Sequence, residues 1–139
     1  MIVSFIVLQI LLVIALIYDI HSQIIPNLLN GIILLTGLLF NIYFSQWSGV
    51  FDSVLGIITG LGLTFILYIW RAIAAGDVKL FAAIGAYLGI EQISILLVTS
   101  IFIAGAIAIL YWLSNRTLKD KTMPFMYAVF PAALFVVWI

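Results

Sequence analysis

The chain has 139 residues, of which 67% are hydrophobic and only 7% charged, and its formal net charge is zero. That balance excludes a soluble globular domain, which needs far more polar surface, and it leaves no basic tract or polar face for nucleic acid. Cysteine is absent, which excludes disulfides, a Cys-ligated zinc site and a thiol nucleophile.

Apolar runs long enough to cross a bilayer follow one another with short gaps. Residues 1–139 therefore read as a single integral-membrane domain, an all-α polytopic bundle of about six spans. The first span is expected from Ile2 to Tyr18, ending at Asp19. No basic residue precedes it and no small-residue cleavage site precedes Asp19, so it should remain as a span and not act as a signal peptide. A polar break at Ile20–Gln23 follows. Proline suits the first helical turn and disfavours helix in the residue before it, so the second span is expected from Pro26 to Phe44. Ser45–Gly49 reads as a turn with an interfacial tryptophan, Trp47. The third span runs from Ser53 to Trp70 and stops at Arg71. The fourth is short, from Asp77 to about Gly89, and the fifth runs from Gln92 to Leu113. A polar segment at Ser114–Thr122 separates it from a last span, Pro124 to Ile139, which Pro131 is expected to bend.

Small residues recur at helical spacing in several spans: Ser53, Gly56, Gly60 and Thr64; Ala82, Ala86 and Gly89; Ser100, Ala104 and Ala108. Such rows let membrane helices approach closely, and helix packing is the expectation for all of them.

Orientation follows from Lys and Arg. Arg71, Lys79, Arg116, Lys119 and Lys121 all fall in the loops after the odd-numbered spans, or beside them. The remaining loops carry only Asp52 and Glu91, read here as solvated loop residues. The positive-inside rule puts the basic side in the cytoplasm and both termini outside. Asp19 and Asp77 then fall at the same, cytoplasmic, membrane depth. Acidic groups in or beside the bilayer are costly and mark function by default. His21 and Asp120 read as loop residues, Asp120 lying between Lys119 and Lys121. Ser22, Ser114 and Thr117 have no base arranged to make them nucleophiles.

Two carboxylates at one membrane face can activate water for amide hydrolysis, one taking a proton from water and the other giving one to the departing amine. That needs one ionised and one protonated group at the same pH. Asp77 starts its helix and Asp19 ends its own, so the helix dipoles favour charge on Asp77 and disfavour it on Asp19. Asp77 is accordingly the expected base. Lys79 lies about 200° round the helix from Asp77, so it is expected to snorkel towards lipid phosphates or touch substrate. Gly76 is expected to let the backbone turn sharply into the helix.

At these residues the chain resembles the prepilin peptidases, a family of membrane aspartic peptidases that includes the type IV leader and preflagellin peptidases. Asp19 ends the first span, as in that family. Ile25-Pro26-Asn27 is similar to the Ile-Pro-Asn that opens the family's second span. Ala74-Ala75-Gly76-Asp77-Val78-Lys79 is similar to its Gly-x-Gly-Asp-x-Lys motif, with Ala74 in place of the first glycine. Met123-Pro124-Phe125 is similar to the Ile-Pro-Phe or Ile-Pro-Tyr that opens its last span. The cysteine-bearing cytoplasmic insertion of the long, N-methylating members is missing, so the resemblance is to the short members, serving Flp-type pili or archaeal preflagellins. It implies leader cleavage without methylation. It also implies Asp19 and Asp77 as the catalytic pair, with Gly76, Lys79, Pro26 and Asn27 supporting them or binding substrate, and no metal or organic cofactor. The implied substrate is a prepilin-like precursor with a short basic leader, a cleavage site usually just after Gly, and a hydrophobic helix lying in the cytoplasmic membrane. This ties the chain to type IV pilus assembly and protein secretion.

Two other readings stand beside this one. Presenilin-like peptidases, which cut inside transmembrane helices, share a Gly-x-Gly-Asp motif and a Tyr-Asp pair, here Tyr18-Asp19, but their chains are much longer. A small proton-coupled carrier or an assembly subunit could also hold a paired-carboxylate site.

Overall fold

A computed structural model describes residues 2–22, 24–113 and 125–138, and within these the backbone is helical almost throughout. Four helices follow in order: α1 (Ile2–Ser22), α2 (Asn27–Ile69), α3 (Ala75–Leu113) and α4 (Met126–Val137). Helix satisfies every backbone group inside its own segment, which is what an apolar surrounding demands. At a rise of ~1.5 Å per residue α1 is about 31 Å long, matching a bilayer core of roughly 30 Å. α1, α2 and α3 are each long and apolar enough to cross a membrane, whereas α4 is shorter. Among the described residues the protein is a helical bundle of the kind that membranes hold.

α2 and α3 are too long to be straight single crossings, and each breaks at one residue. In α2 the break is Gln46, with φ 51° and ψ −132°. In α3 it is Gly89, with φ 72° and ψ −176°. Asn41 and Ser53 lie on either side of Gln46, 12 positions apart, yet Asn41 Nδ2 donates to Ser53 Oγ at 2.8 Å. In a straight helix they would stand about 18 Å apart. α2 is thus a hairpin of two legs, 27–45 and 47–69. α3 likewise has legs 75–88 and 90–113. The polar turn expected over Ser45–Gly49 shrinks to the single residue Gln46. Asp52 and Glu91, expected in loops, sit on helix just past the two breaks. The first span also continues beyond Asp19 to Ser22, and the fourth begins at Ala75 and not at Asp77.

The surface is largely apolar, as a lipid-facing surface requires, and the interior combines an apolar cluster that includes Leu8, Ile33, Phe81, Ile84 and Met126 with a few buried polar residues. Trp70, Phe102 and Trp138 are largely exposed, whereas Ser53, Thr64 and Ser100 are fully buried. α2 and α3 make the most extensive contact. The row Ser53, Gly56, Gly60 and Thr64 is buried as expected, and it packs on the first leg of α3. A Cβ on Gly56 would strike the carbonyl oxygen of Gly85, and one on Gly85 would strike that of Gly56. Ala82 and Ala86 are buried too. The third row fails after Ser100: Ala104 is half-buried and Ala108 exposed. α1 and α4 close the bundle, with Gln9 Nε2 donating to Ala133 O at 3.3 Å. α4 runs through Pro131. The expectations placed on residues 114–124, among them Arg116, Lys119, Asp120, Lys121, Met123 and Pro124, lie outside the described residues.

Candidate active site

Asp19 is the last member of a buried stripe on α1: Ser4, Leu8, Leu12, Ala15 and Asp19. Steps of three and four residues keep a side chain on one helix face, so the apolar face that docks α1 carries the carboxylate inwards. α1 ends one turn later. Ser22 Oγ donates to Tyr18 O at 2.9 Å and to Ile24 O at 3.2 Å, turning the chain into the non-helical segment 24–26. Pro26 then sits extended at the N-cap of α2, where its oxygen accepts from the N–H groups of Leu29 and Asn30.

Asp77 lies in the first turn of α3. Its Oδ2 accepts the N–H of Ala74 at 3.2 Å, while its own N–H donates to Ala74 O at 3.1 Å. This is one half of a capping box: an aspartate at the third helical position satisfies the cap residue's N–H, while Ala74 has no side-chain acceptor to return the bond. Asp19 makes the equivalent contact with another helix: its Oδ2 accepts the N–H of Met126, the first residue of α4, at 3.2 Å. Each carboxylate thus commits one oxygen to a backbone N–H at a helix start. The dipole asymmetry expected between them therefore does not arise, because the carboxylate of Asp19, although in the last turn of α1, abuts the positive end of α4.

Both aspartates are buried, Asp19 to 6% exposure and Asp77 to 7%. They line one cavity of about 180 Å³, completed by Ile24, Ile25, Ala74 and Gly76. Apart from these carboxylates the lining side chains are apolar or absent. A polar cavity of this size has room for more than one water, each occupying roughly 30 Å³ in the liquid. Among the described residues no cluster of three metal-ligating side chains occurs.

Of the remaining candidate residues Gly76 lines this cavity, whereas Pro26, Asn27 and Lys79 do not. Lys79 Nζ donates to Asn27 Oδ1 at 3.0 Å, joining the two motifs that flank the cavity. It is turned away from Asp77, as the helical spacing requires. Pro26 follows directly on the cavity wall at Ile25. Gly76 lines the cavity, but not as a turn: it is helical and its φ is not positive. A Cβ there would reach only ordinary contact with Ile25, at 3.9 Å from its nitrogen, so the absent side chain leaves cavity space. His21 is exposed. Asp52 and Glu91 lie at the opposite end of the bundle, sharing a wider cavity of about 570 Å³ with Asn41, Tyr87 and Trp138. Three residues that matter were missed in the sequence. Gly85 seats the α2–α3 crossing, and Asn30 and Asn41 are amides within apolar runs. A polar residue inside such a run is itself a signal.

Comparison with known proteins agrees with the motifs. The model of the type IV leader peptidase family matches residues 6–110, which include Asp19, Asn27, Asp77 and Lys79. The prepilin leader peptidase/N-methyltransferase of Pectobacterium carotovorum subsp. carotovorum is 32% identical over 136 residues, covering 89% of this chain and 46% of the relative. The chain thus spans about half the length of that relative. No solved structure matches it. With the family's model matched over residues 6–110 and a relative 32% identical over 89% of the chain, the chain belongs to the prepilin peptidase, or type IV leader peptidase, family.

Proposed function

We propose that this chain is an aspartic endopeptidase of the cell membrane, and that it removes the short basic leader from prepilin-like precursors with water activated between Asp19 and Asp77. One observation carries the reading: carboxylates from α1 and α3 are buried on the same small cavity. The chemistry needs one of the two carboxyls ionised and the other protonated. The ionised member takes a proton from water as the oxygen attacks the scissile carbonyl carbon. The protonated member gives its proton to the carbonyl oxygen; the proton taken from water then passes from the other carboxyl to the departing amine as the C–N bond breaks, and the product acid's oxygen returns the first proton. The helix-start N–H on each carboxylate is similar, so the two titrate as a pair and neither is the fixed base.

The reading extends to topology. α1, the two legs of α2, the two legs of α3 and α4 would make six crossings, with residues 1–139 acting as one integral-membrane unit. Arg71 and Lys79 lie at the aspartate end, which the positive-inside rule assigns to the cytoplasm, leaving the termini outside. A precursor helix lying in the bilayer with its leader in the cytoplasm brings its scissile bond to that depth.

The test is coexpression with a prepilin-like precursor, following leader removal by mass spectrometry. Wild type should trim the precursor. Asp19→Asn and Asp77→Asn should each cut the rate by roughly 10²-fold or more while remaining folded. Continued trimming by both variants would falsify the mechanism.

A further inference from the structure

The first leg of α2 carries two asparagines whose amides are used very differently. Asn41, at the far end, is saturated: its Nδ2 donates to Ser53 Oγ at 2.8 Å, Ala86 O at 2.7 Å and Tyr87 O at 3.3 Å. Asn30, at the start of α2, is 6% exposed, and among the described residues neither its Oδ1 nor its Nδ2 has a partner. Few buried polar groups go unpaired, and inside an apolar bundle in lipid the cost is high. A leucine would fill similar space without that cost. The resting protein therefore carries an amide that its own packing does not use.

Its position is informative. The N–H of Asn30 donates to Pro26 O at 3.2 Å, which puts Asn30 in the first turn of α2. Ile24 and Ile25, just before Pro26, form the wall of the aspartate cavity. The register between α2 and α3 is set at two levels. Asn27 meets Lys79, and Gly37 packs on Ala86 and Tyr87. Asn30 and Gly37, two helical turns apart, share a face. Asn30 therefore faces α3 between those levels, at the turn that follows Asp77. The unpartnered amide does not line the resting cavity; it lies one helical turn inward from it, where a peptide parting the first turns of α2 and α3 would meet it.

The cavity needs such a group. An extended peptide brought to it carries N–H and C=O groups that must be satisfied at membrane depth. The aspartates are engaged with water and proton transfer, and the other lining residues offer no polar side chain. A carboxamide presents a donor and an acceptor in one plane, the complement of a peptide unit. We propose that Asn30 is a substrate-binding residue of this site, its carboxamide pairing with the N–H and C=O of one peptide unit of the bound precursor. This rests on the peptidase reading above. The peptide enters between the first turns of α2 and α3, where the wall is the non-helical segment 24–26 and the cross-link is the exposed Lys79–Asn27 contact.

The experiment uses the full chain in lipid nanodiscs with a prepilin-like precursor retaining its leader and helix. kcat, KM and the melting temperature are measured for wild type, Asn30→Leu and Asn30→Ala. Precursor affinity is measured separately for Asp77→Asn with and without Asn30→Leu, so that binding is read without turnover. Asn30→Leu should melt no lower than wild type, keep kcat within about twofold and raise KM about tenfold, the effect of losing one or two hydrogen bonds. Affinity in the Asp77→Asn background should fall by a similar factor. Unchanged KM and affinity in a folded variant overturn the inference and leave the peptidase reading standing. Failure of both variants to fold also overturns it, because the resting protein would then need the amide. A wild type that cleaves no precursor overturns the peptidase reading and this inference with it.

Discussion

Lys79 and Asn27 are 52 positions apart in the chain, and a hydrogen bond of 3.0 Å from Nζ to Oδ1 joins them. The bond links the first turn of α3, which carries Asp77, to the first residue of α2, which follows the Ile24–Ile25 wall. Lys79 thereby helps hold the two sides of the aspartate cavity in register. Its contact is exposed, so its stabilising effect is modest: a hydrogen bond to a charged group contributes roughly 1.5–3 kcal/mol, and less in the open. The expected consequence is functional. Lys79→Met and Asn27→Ala should each slow precursor trimming about fivefold to tenfold while the protein stays folded. The double variant should be no slower than the worse single one, a coupling of about 1 kcal/mol in initial rates. Losses that simply multiply would mean that Lys79 acts through lipid or substrate instead.

The crossing of α2 and α3 sets the depth of Asp77 and depends on two glycines. Gly56 and Gly85 lie backbone to backbone, and a Cβ on either would meet the other's carbonyl oxygen. Neither oxygen can move without disturbing its helix. Gly56→Ala and Gly85→Ala should therefore each destabilise by about 1–3 kcal/mol or more. Gly62→Ala is the control: nothing lies within 4 Å of its Cβ position, and helix propensity favours alanine by about 1 kcal/mol. Thermal unfolding in a mild detergent separates the two outcomes. Equal melting of Gly62→Ala and Gly56→Ala would show that the crossing tolerates separation.

This crossing also shows what could be read from the sequence. The row Ser53, Gly56, Gly60 and Thr64 declared itself by spacing, and all four residues are buried. Gly85 did not, because the row visible in its span was Ala82, Ala86 and Gly89, and its importance depends on which residue of the other helix comes opposite. Asp19 and Asp77 were legible because a carboxylate in an apolar chain is costly wherever it lies. That Asp19 accepts a hydrogen bond from α4 was not, since Met126 is 107 positions away. The role of Gly76 was misjudged for a related reason. A glycine before a helix suggests a turn, but here its missing side chain is cavity volume. The hairpin breaks were visible as short polar or glycine-containing stretches, though not as single residues.

Asn41 joins three segments near the first of those breaks. Its amide nitrogen reaches Ser53 across Gln46 and the carbonyls of Ala86 and Tyr87 on α3, while Ser53 Oγ also donates to Ala86 O at 2.8 Å. Removing the amide leaves buried acceptors without this donor. Asn41→Leu should destabilise by about 1–3 kcal/mol, despite adding apolar surface to a membrane helix. Asn30→Leu, at a position with no side-chain partner among the described residues to lose, should not. The two leucine variants, unfolded side by side, test whether the amides differ as described. A destabilised Asn30→Leu with an unchanged Asn41→Leu would reverse the assignment.

The two breaks themselves make opposite predictions. Gln46 adopts φ 51° and ψ −132°, and Gly89 adopts φ 72° and ψ −176°. Both conformations suit glycine, because a Cβ crowds the backbone when φ is positive. Only one of the positions has glycine. Gln46 is therefore strained, at a cost of about 1–3 kcal/mol, and the packing of the hairpin legs on either side holds it there. Gln46→Gly should recover part of that strain and raise the melting temperature, although glycine gains entropy in the unfolded chain. Gly89→Ala should impose the same strain and lower it. Space is not the obstacle at Gly89, since the nearest atoms to a Cβ, on Asp52, are 3.6 Å away or more. The effect would come from backbone conformation alone. Gly89→Asn should accordingly cost less than Gly89→Ala, since asparagine tolerates positive φ better. If alanine and asparagine behave alike at position 89, the break is being relieved by rearrangement of the second leg and not by strain at that residue.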